Sequence, residues 1–393
     1  VVTTSYPLDG QSASAHHIKG YLEGLAGRFR ITIITPDSDG GPWPGFTGNE
    51  PGRVVRFRYA PRKWQVLANR PGGVPGAVSG RPPVLLLAPL LWSAMLLTLI
   101  RHARKADAIH ANWSLNGLVA GLAGSMFGRP VVTTLRGSDV RWAARSGLGK
   151  LVLVACARCN RCLVAVSPLL KRKVEDLAGR RKKGGLICIE NGVDSDLFSA
   201  RPLEAGRMEK ELRFLVIANL VASKRVDLAL TAFAGLRNRK RMILEVIGAG
   251  PEFAKLKALA GDLEVADRVI FHGGLDHDQV KARLKDCHVL VHPSLAEGRS
   301  NVVLEAMACG RVVVASRIAG IRDVVKDGAN GLLFSPGSVS GLLRHLRHLA
   351  EDPGFCTRLG RAARAEVLRR NLAWEKTARK YSGLFFSCIR GKG

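Results

Sequence analysis

The chain has 393 residues, enough for two domains with a core each. Hydrophobic residues make up 47% and charged residues 23%, which excludes a disordered chain. The formal net charge is +28, a field that draws anionic ligands, anionic lipid or nucleic acid, although no zinc-finger or RNP pattern supports the last of these.

Residues 1–5 read as the end of a first strand. A loop through Gly10, Gln11 and Ser12 follows, then a helix over 16–25 and a second strand over 30–35. This is the opening of a Rossmann-like half-unit. Residues 40–83, rich in Gly, Pro and Arg, read as loops around a strand at 54–59. Residues 84–100 are almost wholly apolar and lie between basic flanks at Arg81 and 101–105. Seventeen residues with a Pro fall short of a comfortable span. The stretch is read as a buried domain helix or as one that dips into a membrane interface. The strand at 106–110 ends in His110 and leads to Trp113; the strand at 130–135 leads to Arg136-Gly137-Ser138-Asp139. Cys156-x2-Cys159-x2-Cys162 has the spacing of three iron–sulfur ligands, but Val166 stands where a fourth would, and the segment runs into an apolar strand. Eight Cys and no signal-peptide pattern point to a reducing, cytosolic compartment.

After a polar linker at 199–211, strands are expected at 212–220, at 243–250 ending in Gly248-x-Gly250, and at 269–274 through Gly273. Between the first two lies Ala222-Ser223-Lys224-Arg225. A further buried strand at 287–291 runs into His292 and then a helix over 302–309, with Ser300 and Asn301 as N-cap types at the junction. The free N–H groups and dipole of a helix N-terminus make a seat for phosphate. Glu297 and Glu305 bracket that seat, and carboxylates accept hydrogen bonds from vicinal hydroxyls. Sugar and ribose on either side of a diphosphate would suit the pair.

Glu297-x7-Glu305, within HPSLAEGRSNVVLEAMACGRVVVAS, resembles the E-x7-E signature of the retaining GT-B glycosyltransferases of family 4. The resemblance extends over nearly the whole chain and is strongest over 186–334. It implies an α/β, GT-B chain: two Rossmann-like domains facing a central cleft. Residues 1–200, with a C-terminal helix at 372–393 packing back on them, would form the acceptor domain, and 201–371 the nucleotide-sugar donor domain. By the same resemblance Glu297 contacts the donor sugar and Glu305 the ribose. The backbone of Ser300, Asn301 and Val302 faces the diphosphate, and Lys224 grips it. Gly10, Gly248 and Gly273 line the donor. The chain departs from the family at three of these places. Asn219 stands for an Arg, Arg225 for a Gly and Arg136 for a His beside the sugar. Arg136, His110 and Trp113 are implied at the acceptor side of the cleft. Asp139 is left open between orienting the acceptor hydroxyl and capping its loop.

The expected activity is a retaining transfer of a sugar from a nucleotide diphosphate sugar, a UDP-sugar, to a hydroxyl of a glycan or lipid-linked glycan. Lys224, Arg225 and the helix N–H groups would stabilise the leaving diphosphate, so no metal or other cofactor is expected. The expected location is the cytoplasm, with peripheral attachment to an anionic inner membrane face if the apolar helix engages it. A sugar-nucleotide epimerase on the same fold and a non-catalytic membrane scaffold are the alternatives.

Overall fold

The computed structural model describes residues 1–6, 16–37, 51–69, 74, 82–179, 185–236 and 241–391. They form two compact units, 1–192 with 374–393, and 193–373. These limits differ by a few residues from the expected 200/201 and 371/372. The reason is that Val193, Leu197 and Ala200 are buried with Leu304 and Met307 in the core of the second unit, and Val193 bridges Ala373.

In the first unit the strands are β1 (Thr32–Pro36), β2 (Arg53–Phe57), β3 (Ile109–Asn112), β4 (Val131–Leu135), β5 (Cys162–Ala165) and β6 (Leu186–Cys188). All pairings are parallel. The expected first strand is a single bridging residue: Val2 pairs with both Ile34 and Ala111, so it joins β1 to β3. The spatial order is therefore β2-β1-Val2-β3-β4-β5-β6. The strands are apolar because a parallel sheet is covered on both faces. Alternation along β4 and β5 assigns those faces. Val132 and Val164 pack with the helices His16–Ala26 and Trp374–Arg390. Val131 and Leu163 face the helices Ala88–Ala103, Ser114–Met126 and Gly147–Cys159. Gly20 and Gly24 let the terminal helix lie close; a Cβ at Gly24 would meet that of Ala378 at 2.6 Å.

The second unit holds β7 (Leu212–Ile217), β8 (Met242–Ile247), β9 (Val269–Gly273), β10 (Val289–His292), β11 (Val312–Ser316) and β12 (Leu332–Phe334), all parallel, in the order β12-β11-β10-β7-β8-β9. Chain order thus reverses between β7 and β10. In open α/β sheets that switch point, at the carboxyl ends of the strands, is where ligands bind.

Candidate donor site

The two loops that leave the switch point are 218–225 after β7 and 293–300 after β10. They are tied by Leu295 N–H donating to Ser223 O at 2.9 Å. Ala222–Lys224 form a single 3-10 turn, which presents Lys224 toward the other loop. Its Nζ pairs with Oε1 of Glu297, and Nε2 of His292, the last residue of β10, lies 3.2 Å from the same oxygen. Burial pushes the Glu297 pKa up, but His292 and Lys224 more than offset it and hold the carboxyl well below its usual range. Glu297 is therefore an anion at any working pH.

The helix Asn301–Ala308 begins three residues after Gly298. Ser300 caps it, its Oγ accepting from Val303 N–H at 3.4 Å. The first-turn N–H groups of Asn301 and Val302 lie at this N-terminus, four and five residues after Glu297 in sequence. Glu305 sits one turn further along the helix. Burial, then the charge of Asp194, raises its pKa to about 7, and Lys281 opposes the shift. Lys281 is itself held by Asp194 at 3.2 Å and Asp278 at 2.9 Å.

Gly248 and Gly273 lie at the carboxyl ends of β8 and β9, where Gly248 N–H donates to Gly273 O at 2.7 Å. Gly248 has φ 141°, and a Cβ there would sit 1.8 Å from Ala218 O. Only glycine lets the exits of β7 and β8 come this close. Arg225, expected at the diphosphate, holds an acidic neighbour in the structure. Its guanidinium makes a two-pronged pair with Asp227, with Nε–Oδ1 at 3.0 Å and Nη2–Oδ2 at 3.0 Å. Its backbone is left-handed, at φ 50° and ψ 44°. A glycine would adopt that conformation without cost.

In the first unit the implied acceptor residues are bound into the fold. His110 is buried. Its Nδ1 is 3.0 Å from Tyr21 Oη and its Nε2 2.8 Å from Thr134 Oγ1, within a ring of Tyr21, Tyr381 and Phe385. Burial and the nearby Arg136 charge keep it neutral. Both ring nitrogens are engaged, so His110 is a core residue and the expected acceptor contact is corrected. Asp139 resolves in favour of the cap: its carboxylate accepts from the N–H groups of Gly137 (2.8 Å), Val140 (3.0 Å) and Ser114 (3.0 Å). It thereby closes the N-termini of two helices, and burial still raises its pKa against those three bonds. Arg136 donates to Asn112 Oδ1 at 2.7 and 3.1 Å and to Asn191 Oδ1 at 2.9 Å, locking three strand exits together. Trp113 caps the helix Ser114–Met126 with φ 70° and ψ 148°, a backbone conformation that bulky residues avoid. Gly10 lies outside the described residues. Of the three clustered cysteines, Cys156 and Cys162 are buried and Cys159 is exposed.

Two family models match in succession: a glycosyl transferase 4-like domain over residues 12–187 and the glycosyl transferases group 1 model over 203–366. The chain belongs to the group 1 glycosyltransferases. Among relatives, N-acetyl-alpha-D-glucosaminyl L-malate synthase of Bacillus anthracis is 28% identical over 300 residues, covering 74% of this chain and 77% of its own. D-inositol 3-phosphate glycosyltransferase of Acidothermus cellulolyticus is 31% identical over 313 residues, covering 71% and 66%. The structure of Anabaena HepE in complex with UDP and glucose superposes with a TM-score of 0.75 at 20% identity, over 96% of this chain and 97% of that one. The transferase thus has the GT-B fold.

Sequence reasoning missed several groups at this candidate site of the transferase. His292 was legible only as the start of the motif, and nothing local pointed its ring at Glu297. The charges of Asp194 and Lys281 act on Glu305 from distant segments. Gly320 carried no signal at all, yet a Cβ there would lie 2.6 Å from Glu297 O and 2.8 Å from Gly298 O. The loop that carries Glu297 rests directly on it.

Proposed function

We propose that the transferase moves a sugar, with retention of anomeric configuration, from a UDP-sugar to a hydroxyl of a glycan or lipid-linked glycan in the cytoplasm, without a metal ion. The observation that carries this reading is the convergence of Lys224, Glu297 and His292 on the N-terminus of the helix Asn301–Ala308 at the switch point of the second sheet.

The chemistry follows from the groups present. A nucleotide diphosphate sugar leaves as a diphosphate, and negative charge grows on the bridging oxygen as the glycosidic bond breaks. Lys224 and the N–H groups of Ser300, Asn301 and Val302 supply positive charge at that point. In the structure Lys224 is neutralised by Glu297, so an arriving diphosphate competes for the ammonium while the sugar's hydroxyls take over the carboxylate. His292, 3.2 Å away, favours the ionised Glu297 through that exchange. Glu305 accepts from the ribose diol. The complex of HepE with UDP and glucose supports a uridine donor on this fold. The two relatives are named for malate and inositol phosphate acceptors, which agrees with a net charge of +28 that favours an anionic acceptor.

The test is calorimetric titration with UDP, GDP and ADP, followed by proton NMR of the product formed from the matching α-linked donor. UDP is expected to bind at least tenfold more tightly than GDP or ADP, and the new linkage is expected to be α. Preference for another nucleotide sinks the uridine assignment. A β product sinks retention. Conversion of the donor without acceptor would replace the reading with epimerisation.

A further inference from the structure

The outward side of three adjacent helices in the first unit has the wrong composition for a face that meets only water. The helix Ala88–Ala103 buries Leu91, Met95, Leu99 and Ala103 against the sheet, at helical spacing. Its opposite stripe, which should be polar, is Leu90, Ser93 and Leu97, ending in Arg101, with Leu86 just ahead of it in the 3-10 turn Pro82–Leu87; Leu86 is 81% exposed, Leu90 51% and Leu97 58%. The segment Pro83–Ala103 is long and apolar enough to cross a membrane by length and composition, but its other stripe is committed to the core.

The neighbouring helix Ser114–Met126 packs against both Ala88–Ala103 and Gly147–Cys159. It exposes Leu122 and Met126, and Gly147–Cys159 exposes Leu148 and Leu151. On or directly after the same helices lie the exposed cations Arg104, Lys105, Lys150 and Arg158. Charge says what the face meets. Residues 51–174 contain twenty Lys and Arg but only two acidic residues, Asp107 and Asp139, and Asp139 is the buried helix cap. A face of one sign repels its own copy in a two-fold dimer. Polyanionic nucleic acid would match the charge and leave the leucines wet. An anionic bilayer satisfies both, taking the leucines into the acyl boundary and the cations at the headgroups.

We propose that the transferase docks on an anionic lipid surface through the outward face of the helices Ala88–Ala103, Ser114–Met126 and Gly147–Cys159. The docking belongs to the first unit alone and stands whether or not the donor is a UDP-sugar. The apolar stripe enters the interface lying flat, because its inner side remains packed on β1 and β2.

The experiment is co-sedimentation of the full chain with vesicles of phosphatidylcholine alone and of phosphatidylcholine mixed with phosphatidylglycerol, at low and high salt. Wild type is expected to partition onto the mixed vesicles and to weaken with salt. The double variant Leu90→Ser, Leu97→Ser should lose at least about tenfold in partitioning, since each leucine contributes its own burial. Its melting temperature should stay at the wild-type value, because both side chains already face out. Replacing Arg101 and Arg104 by Gln should lower partitioning roughly fivefold per cation. Equal partitioning onto neutral and mixed vesicles, or an undiminished leucine variant, overturns the proposal. So does a lipid-free dimer by light scattering that the leucine variant dissolves, which would mean that a second copy covers the stripe.

Discussion

The corner after β10 and the corner after β4 share a plan: a buried parallel strand, a short polar loop and a helix. They use their charged groups differently. After β10, Lys224 and Glu297 come from two loops and hold one another, with His292 beside them at the end of β10. After β4, the carboxylate of Asp139 holds three backbone N–H groups, and Arg136 holds two asparagine side chains. A charge held by another mobile side chain can be handed to a ligand that brings its own countercharge. A charge that satisfies buried backbone cannot be released without leaving those N–H groups orphaned. Matching a family pattern is therefore not enough to make a residue part of the chemistry; what the side chain already holds decides.

The sharpest way to break this contrast is Lys224→Ala. If the ammonium is exchanged from Glu297 to the diphosphate, its loss removes transition-state stabilisation, and kcat should fall about 10²–10³-fold. The free enzyme should also lose about 1–3 kcal/mol, because the largely buried Glu297 carboxylate is left without its cation. Initial rates alongside urea melts check both halves. A kcat within threefold of wild type would show that the helix N-terminus suffices and that the Lys224–Glu297 pair is only structural.

Asp139→Asn probes the other corner and should cost stability alone. The amide keeps one acceptor oxygen and turns its NH2 toward backbone donors, so two helix starts lose satisfaction in a buried place. A cost of about 2–3 kcal/mol in the urea midpoint is expected, with kcat of the folded enzyme within twofold of wild type. A large drop in kcat at unchanged stability would restore Asp139 to the acceptor chemistry.

The same contrast explains what the sequence could and could not reveal. The strand-loop-helix unit of the candidate site was legible because its signals are local: a buried strand, Ser300 as cap and two carboxylates close in sequence. The αL turn at Arg225 was visible only as a departure from the glycine of similar enzymes, and its physical meaning came from φ. The contacts that remained hidden are the long-range ones. Arg136 reaches Asn112 and Asn191 across 24 and 55 residues of chain, and the ring of His110 is enclosed by Tyr21 and by Tyr381 of the last helix. A register between parallel strands decides such contacts, and no short window contains it. Residues 84–100 are a case of composition read without direction. Hydropathy saw their apolar character, but only the fold separates the stripe of Leu91, Met95 and Leu99 from the stripe of Leu90 and Leu97.

The smallest expected effect is also the one that tests Glu305 without chemistry. Burial first and Asp194 second raise its carboxyl from the ordinary 4.5 to about 7, against the pull of Lys281. A carboxyl with a raised folded pKa binds its proton more tightly folded than unfolded. Its contribution to stability is fully present below about pH 4.5 and is lost as pH rises through 7. Glu305→Gln has no proton to lose, so it should match wild type near pH 5 and exceed it by about 2 kcal/mol near pH 8. Nucleotide affinity should run the other way. Only the carboxylate accepts from both ribose hydroxyls, so wild-type affinity should climb between pH 6 and 8, while the variant stays flat and weaker. Titrations and urea melts at those pH values would read the two trends in one protein. Opposite slopes identify a carboxylate strained in the empty site and used in the filled one. Parallel slopes would mean that Glu305 responds to Asp194 and Lys281 alone, and the ribose would then have to be held by another group in the second unit.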